Sequence, residues 1–107
     1  MRLLSRSTLR QFVQTRKGAV DWQALRTAVE LWISEIERAD WKTTSDIKAK
    51  YASASIVTAE RIVFNIRGNS YRLVVSVDFR KSIVYVKWIG THVDYDKIDV
   101  RTIKHGK

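Results

Sequence analysis

Apolar and polar residues follow a helical period in the N-terminal half of the chain, most clearly between residues 21 and 38. Apolar side chains there are three and four positions apart, which places them along one side of an α-helix. They are Trp22, Leu25, Ala28, Val29, Trp32, Ile33 and Ile36. Asp21 precedes this stretch and belongs to a residue type that caps helix N-termini. The pattern predicts a long amphipathic helix with Trp22 and Trp32 in the core.

A shorter helix is predicted before this one, after a brief opening strand within residues 1–5. Its apolar side consists of Leu9, Phe12 and Val13. Ser5 or Ser7 is the candidate N-cap. Residues 16–18 (Arg-Lys-Gly) are typical of a helix end, because cations suit the negative pole and Gly suits the cap. The two helices are expected to form an antiparallel hairpin that packs on a sheet.

Residues 40–60 carry weaker signals. Ser45 is a candidate N-cap for a short third helix over residues 46–51, with Ile47 and Tyr51 on one side. Residues 52–60 are small and weakly patterned, so we predict a loop there.

Strict alternation replaces the helical period from residue 61 onward, which predicts strands. Residues 61–67 place Ile62, Phe64 and Ile66 on one face, and residues 71–79 alternate in the same way from Tyr71 to Phe79. Gly68-Asn69 supplies a tight turn, and residues 83–89 are apolar on both faces. We therefore predict an α+β fold, with a small antiparallel-dominated sheet in the order β-α-α-β-β-β. Two N-terminal helices pack on one face, and residues 1–107 form a single domain.

The charge of the chain points to an anionic partner. It has 20 Lys and Arg against 11 Asp and Glu, a net charge of +9 and a pI near 10.2. Such a balance is typical of nucleic-acid binders, although an acidic protein partner also fits. The chain has no Cys and no apolar run near the ~20 residues that span a bilayer. We expect a cytoplasmic protein without disulfides, thiolate metal sites or membrane contacts.

Cations are predicted to share the sheet face opposite the helices. Arg61, Val63, Asn65 and Arg67 alternate with the core residues of the first meander strand. Arg72 and Lys87 lie on the neighbouring strands. Arg suits phosphate because its planar fork holds two oxygens and keeps its charge. A phosphate-binding surface and a solvated outer face are equally open at this point.

A dense polar cluster follows the last predicted strand, at residues 90–98. His92 is the best proton-transfer candidate, since imidazole acts as acid or base near neutral pH. Asp94 and Asp96 are candidates to orient it or to cap a helix over residues 95–100, and Tyr95 offers a hydroxyl and a stacking face. The spacing His-x-Asp-x-Asp shares one face only in an extended segment, so we predict no metal site. His105 lies in a polar tail and receives no role.

Several segments together resemble the HigB toxins of the RelE-like superfamily. They are residues 61–69 (Arg-Ile-Val-Phe-Asn-Ile-Arg-Gly-Asn), 71–75 (Tyr-Arg-Leu-Val-Val), 83–86 (Ile-Val-Tyr-Val), 89–92 (Ile-Gly-Thr-His) and 94–99 (Asp-Tyr-Asp-Lys-Ile-Asp), with further similarity at 39–42 and 51–55. The resemblance covers nearly the whole chain. It implies the toxin half of a type II toxin–antitoxin pair, which cleaves translated messenger RNA on the ribosome. It also implies a HigA-type helix-turn-helix antitoxin, with operator DNA bound only through the complex.

The resemblance also implies site residues for a metal-independent reaction without a cofactor, in which the substrate 2′-hydroxyl attacks the adjacent phosphate. The implied catalytic set is His92, Tyr95, Asp94, Arg67 and Arg61, and the implied RNA-binding set is Lys48, Lys50, Arg72, Lys87 and Lys97. The second proton carrier stays open among Tyr95, Asp94 and Glu60. Two other functions remain as alternatives: a non-catalytic RNA- or ribosome-binding module, and a basic subunit of an acidic partner.

Overall fold

The computed structural model describes residues 1–104, so His105 and the end of the predicted domain lie outside the described residues. The elements in chain order are β1 (Arg2–Leu4), α1 (Arg6–Thr15), α2 (Trp22–Arg38), α3 (Thr44–Lys50), β2 (Ser55–Ile56), β3 (Arg61–Ile66), β4 (Tyr71–Asp78), β5 (Ile83–Thr91) and α4 (His92–Tyr95).

The strands form one five-stranded sheet in the order β1-β5-β4-β3-β2. β1 pairs in parallel with β5, and the other neighbours are antiparallel. The predicted α+β class with an antiparallel-dominated sheet and an opening strand is confirmed, and the fold is consistent with that of RelE-like toxins. Among residues 1–104, no helix is long and apolar enough to cross a membrane.

The helices cover one face of the sheet, which we call the helix face, and the main core lies between the two layers. Ile62, Phe64, Leu73, Val75 and Val84 are buried on this face against residues of α1 and α2. Trp32 is only 3% exposed, as predicted, while Trp22 is half-buried at the margin of the core. The apolar residues that repeat with a helical period thus pack against those that alternate along the strands, and together they form one core layer.

The predicted N-cap positions are confirmed for α1 and α2 but not the capping bonds, and the predicted N-cap of α3 is wrong. Ser5 and Asp21 occupy the N-cap positions of α1 and α2, but neither side chain bonds to the helix. The Asp21 carboxylate instead accepts a hydrogen bond from the Tyr71 hydroxyl, fifty residues away, at 2.8 Å. α3 is capped by Thr43 rather than Ser45, because Thr43 and Asp46 form a reciprocal capping box.

Two strands differ from their predicted bounds. Residues 52–60 are not only loop, since Ser55–Ile56 pairs with β3; two residues are too few to show a period. β5 runs to Thr91, two residues beyond its predicted end. It also contains a bulge: Val75 pairs with Val86 but Val74 pairs with Trp88, so Lys87 is the extra residue.

The Tyr51 hydroxyl ties α3 to α2 by donating to the Glu35 carboxylate. Burial, and then the neighbouring Glu35 charge, raises the pKa of Tyr51; burial and Asp21 likewise raise the pKa of Tyr71. A tyrosine in the unfolded chain loses its proton near pH 10, before these two do. The stability they contribute is therefore complete below about pH 10 and lost as the pH rises above it.

We expect the thermal unfolding midpoint to fall progressively as the pH rises above about 10, and to fall less in Tyr51→Phe. Calorimetry across that range measures the slope. Tyr85→Phe, on the opposite face of the sheet, is the control and should keep the wild-type slope. An unchanged slope in Tyr51→Phe would contradict the assignment.

Candidate functional site

The candidate site lies where β5 ends and α4 begins. Thr91 caps α4 by accepting a hydrogen bond from the Asp94 amide at 3.1 Å. The His92 amide donates to the Ser70 carbonyl at 3.1 Å, which fixes α4 beside the turn between β3 and β4. His92 and Asp94 are exposed, and Tyr95 is half-buried. The predicted imidazole, carboxylate and phenol thus share one helical turn.

Tyr95 packs against two residues of the sheet face that lies away from the helices, which we call the outer face. Its ring lies 6.3 Å from the Trp88 ring, centroid to centroid, with the planes 48° apart. The Arg72 guanidinium carbon lies 6.0 Å from the Tyr95 ring centroid. Arg72 also donates to the Asn69 carbonyl at 2.8 Å and so binds the adjacent turn. A fixed cation therefore packs against the Tyr95 ring, where it can bind an anionic group such as phosphate.

Trp88 is the member of this cluster that the sequence reasoning missed. The available signal was a Trp two positions before Gly90, on a strand whose two faces are both apolar. The bulge at Lys87 obscured this signal, because a regular alternation would direct Trp88 to the core.

Arg67 lies at the same end of the sheet as His92 but departs from the predicted face. It has a left-handed φ of 52° in the turn after β3. Its Nε lies 3.9 Å from the Asp21 carboxylate, on the helix face. Nothing in the alternation of β3 reveals this, because the turn begins at Arg67 itself. The side chain is exposed, and its role as a phosphate ligand stays a prediction.

Arg61 lies at the opposite end of the sheet. Asn65 and Gly90 lie level with each other because both pair with Arg72; Arg61 is four residues to one side of this level and His92 two residues to the other. At about 3.3 Å per residue, about 20 Å therefore separates the backbones of Arg61 and His92. Its guanidinium donates to the carbonyls of Val100 and Ile103 at 3.2 and 2.7 Å. These bonds place the C-terminal segment on the outer face. Glu60 precedes Arg61, so neither residue is brought to His92.

The outer face is consequently less open than predicted. Val63 and Val74 are 3% and 0% exposed although both lie outside the main core cluster. Lys87 remains half-buried on this face, with its ammonium 5.3 Å from the Tyr85 ring centroid. The face therefore combines partial apolar cover with the cations Arg72 and Lys87, rather than forming a bare cationic surface.

The other predicted lysines lie in two different places. Lys97 is exposed just beyond α4, close to the site. Lys48 and Lys50 belong to α3 in the helix layer, and the Lys48 ammonium donates to the Ala52 and Ala54 carbonyls at 2.6 and 2.8 Å. The structure therefore groups Lys97 with His92 but separates Lys48 and Lys50 from it.

The acidic residues near His92 do not act as predicted caps. Asp96 is the C-cap residue that follows α4 rather than the N-cap of a helix over residues 95–100. His92 and Asp94 lie in a helical turn instead of an extended segment. Within residues 1–104, no three His, Asp or Glu side chains are grouped as metal ligands.

A larger concavity lies elsewhere, between α1 and α2. It has a volume of about 600 Å³ and is lined by Arg10, Lys17, Trp22, Arg26 and Glu30, among others. It belongs to the helix layer, and none of His92, Asp94 and Tyr95 lines it. The candidate site is thus defined by side-chain chemistry and not by a deep cavity.

The fold is consistent with that of a small RelE-like toxin, and a comparison with protein families points to the same class. The family model of the HigB toxin, a RelE-like toxic component of a toxin–antitoxin system, matches residues 25–98. This is more than half of the chain, so the chain belongs to the HigB toxin family and is a toxin–antitoxin component with an antitoxin as its partner. A search of curated proteins returns no match to the chain.

Proposed function

We propose that this toxin is a ribosome-dependent messenger RNA endonuclease that stops translation and growth. The family is compatible with a ribonuclease-type activity in general. The observation that carries the proposal is α4, which presents His92, Asp94 and Tyr95 within one turn beside the Arg72 guanidinium. Proton transfer and charge stabilisation are the two needs of RNA cleavage, and this cluster contains groups for both.

In the proposed reaction, the substrate 2′-hydroxyl attacks the adjacent phosphorus, and the bond to the leaving 5′-oxygen breaks. His92 takes the proton from the 2′-hydroxyl or gives one to the leaving oxygen. Tyr95 or Asp94 carries the other proton, since both lie in the same helical turn as His92 and Glu60 lies at the opposite end of the sheet. No metal or cofactor enters these steps.

The cations divide between the reacting phosphate and the rest of the RNA. Arg67 and Arg72, on either side of the turn between β3 and β4, hold the phosphate and stabilise its extra charge in the transition state. Lys87 and Lys97 contact flanking phosphates. Arg61 acts indirectly, by holding the C-terminal segment, and Lys48 and Lys50 add affinity for ribosomal RNA from the helix layer.

The proposed setting is the cytoplasm, where the substrate is messenger RNA in the ribosomal A site. A HigA-type antitoxin with a helix-turn-helix domain neutralises the toxin. Operator DNA is bound through that complex only. The net charge of +9 supports an anionic substrate and an acidic contact surface on the antitoxin.

Purified toxin should cut messenger RNA only when ribosomes translate it. Primer extension with and without ribosomes tests this. A second measurement uses the binding-site variant Arg72→Ala, which should bind RNA more weakly. The dependence of its log binding constant on log salt concentration should be less steep by about one. Cleavage of naked RNA at the same rate would contradict ribosome dependence. Association with a salt slope but no cleavage would favour the non-catalytic module, and no association at physiological salt would favour a basic subunit.

A further inference from the structure

Gly90 lies directly under the ring of Trp88. A Cβ atom at position 90 would lie 2.4 Å from Cη2 and 2.5 Å from Cζ2 of Trp88, far inside van der Waals contact. Gly90 does not have the positive φ found at Gly18 and Gly68, so its backbone conformation suits any residue. The glycine is therefore required by the space that the indole occupies, and not by the strand.

The Trp88 ring in turn supports α4. This helix has only four residues, too few to be stable without tertiary contacts. Besides its cap and the His92 amide bond, α4 contacts the sheet through Tyr95, which packs on Trp88 and Arg72. The indole thus fills the space between the backbone at Gly90 and the Tyr95 ring.

We propose that Trp88, seated on Gly90, is a positioning residue that holds Tyr95 and the His92 turn in the geometry for cleavage. This inference rests on the proposed function. Trp88 does not touch the reacting atoms; it acts through Tyr95. Displacement of a reacting group by about 1 Å is enough to cost about 100-fold in rate, so a ring moved by a single methyl group has a measurable consequence.

The test is a double-mutant cycle of Gly90→Ala and Trp88→Leu. In the wild-type background, the added methyl displaces the indole, and we expect single-turnover cleavage on ribosomes to fall about tenfold or more. In the Trp88→Leu background the ring is absent, so Gly90→Ala should have almost no further effect. Ribosome affinity should change less than twofold in every variant, because the cations are untouched.

Equal losses from Gly90→Ala in both backgrounds would show that the methyl acts on the strand and would overturn the inference. Wild-type cleavage by Gly90→Ala would overturn it too. Nuclear Overhauser contacts between the Trp88 and Tyr95 rings give a readout without activity, and they should vanish in Gly90→Ala while the amides at the start of β5 (residues 83–86) keep their shifts. If those contacts persist, positioning is refuted.

The inference and the proposed function fail in different ways. Tyr95→Ala and His92→Ala test the function, and wild-type cleavage by both would refute the site itself. If these two variants are inactive while Gly90→Ala is fully active, only the positioning role of Trp88 fails.

Discussion

His92→Ala should lower the rate of messenger RNA cleavage on ribosomes by about 100-fold to 10,000-fold, the range that a general acid or base contributes. The side chain is exposed on α4, and the bond to the turn before β4 comes from the backbone amide of His92, which donates to the Ser70 carbonyl. Its removal should therefore leave the fold intact, with an unfolding free energy within about 0.5 kcal/mol of wild type. Primer extension measures the cleavage rate, and urea denaturation measures the stability.

Val93→Ala is the matched control, because Val93 is the next residue of α4 and is 52% exposed. It should cleave at the wild-type rate and arrest growth on expression, whereas His92→Ala should permit growth. Full toxicity of a folded His92→Ala protein would show that proton transfer does not depend on this imidazole.

Phe64→Ala should lower the free energy of unfolding by about 3–5 kcal/mol, as for other buried Phe residues. Phe64 is 1% exposed and contacts three aromatic rings. Its ring centroid lies 5.1 Å from Tyr51, 5.4 Å from Trp32 and 6.3 Å from Trp41. Since these rings come from α2, from the connector after it and from the C-cap of α3, the substitution removes contacts with that part of the helix layer.

Urea denaturation at equilibrium measures this loss, and the dependence on urea should keep its wild-type slope if only the native state changes. Leu31→Ala, at a position 55% exposed on α2, is the control and should change the stability by less than about 0.5 kcal/mol. A loss below about 1 kcal/mol in Phe64→Ala would mean that the aromatic cluster repacks around the cavity.

Long periodic segments made the fold predictable from the sequence. α2 and the strands β3 and β4 each repeat one apolar face over several residues, and the structure buries those faces. The short elements were harder, because a two-residue strand has no period. The caps failed for another reason: Asp21 has the right type and position, but its carboxylate serves Tyr71 across the fold.

The candidate site was predicted in part. The sequence was enough to group His92, Asp94 and Tyr95, because they lie within four consecutive residues and all belong to the short helix that follows β5. Arg61 and Arg67 were placed on one face by alternation, which cannot show that one binds the C-terminal carbonyls and the other approaches Asp21. The direction of each arginine side chain is set by partners that are distant in sequence, and a local pattern cannot reveal them.

The bulge at Lys87 adds one residue to β5 relative to its partner strand β4. One additional residue reverses the inside–outside order of everything that follows it, so that Trp88 and Gly90 face outward although Val86 faces the core. Which face of the sheet the residues just before α4 point to therefore depends on whether the number of residues in β5 is odd or even, and not on the type of any one side chain. Within this strand, a change of length by one residue is a more drastic mutation than most changes of residue type.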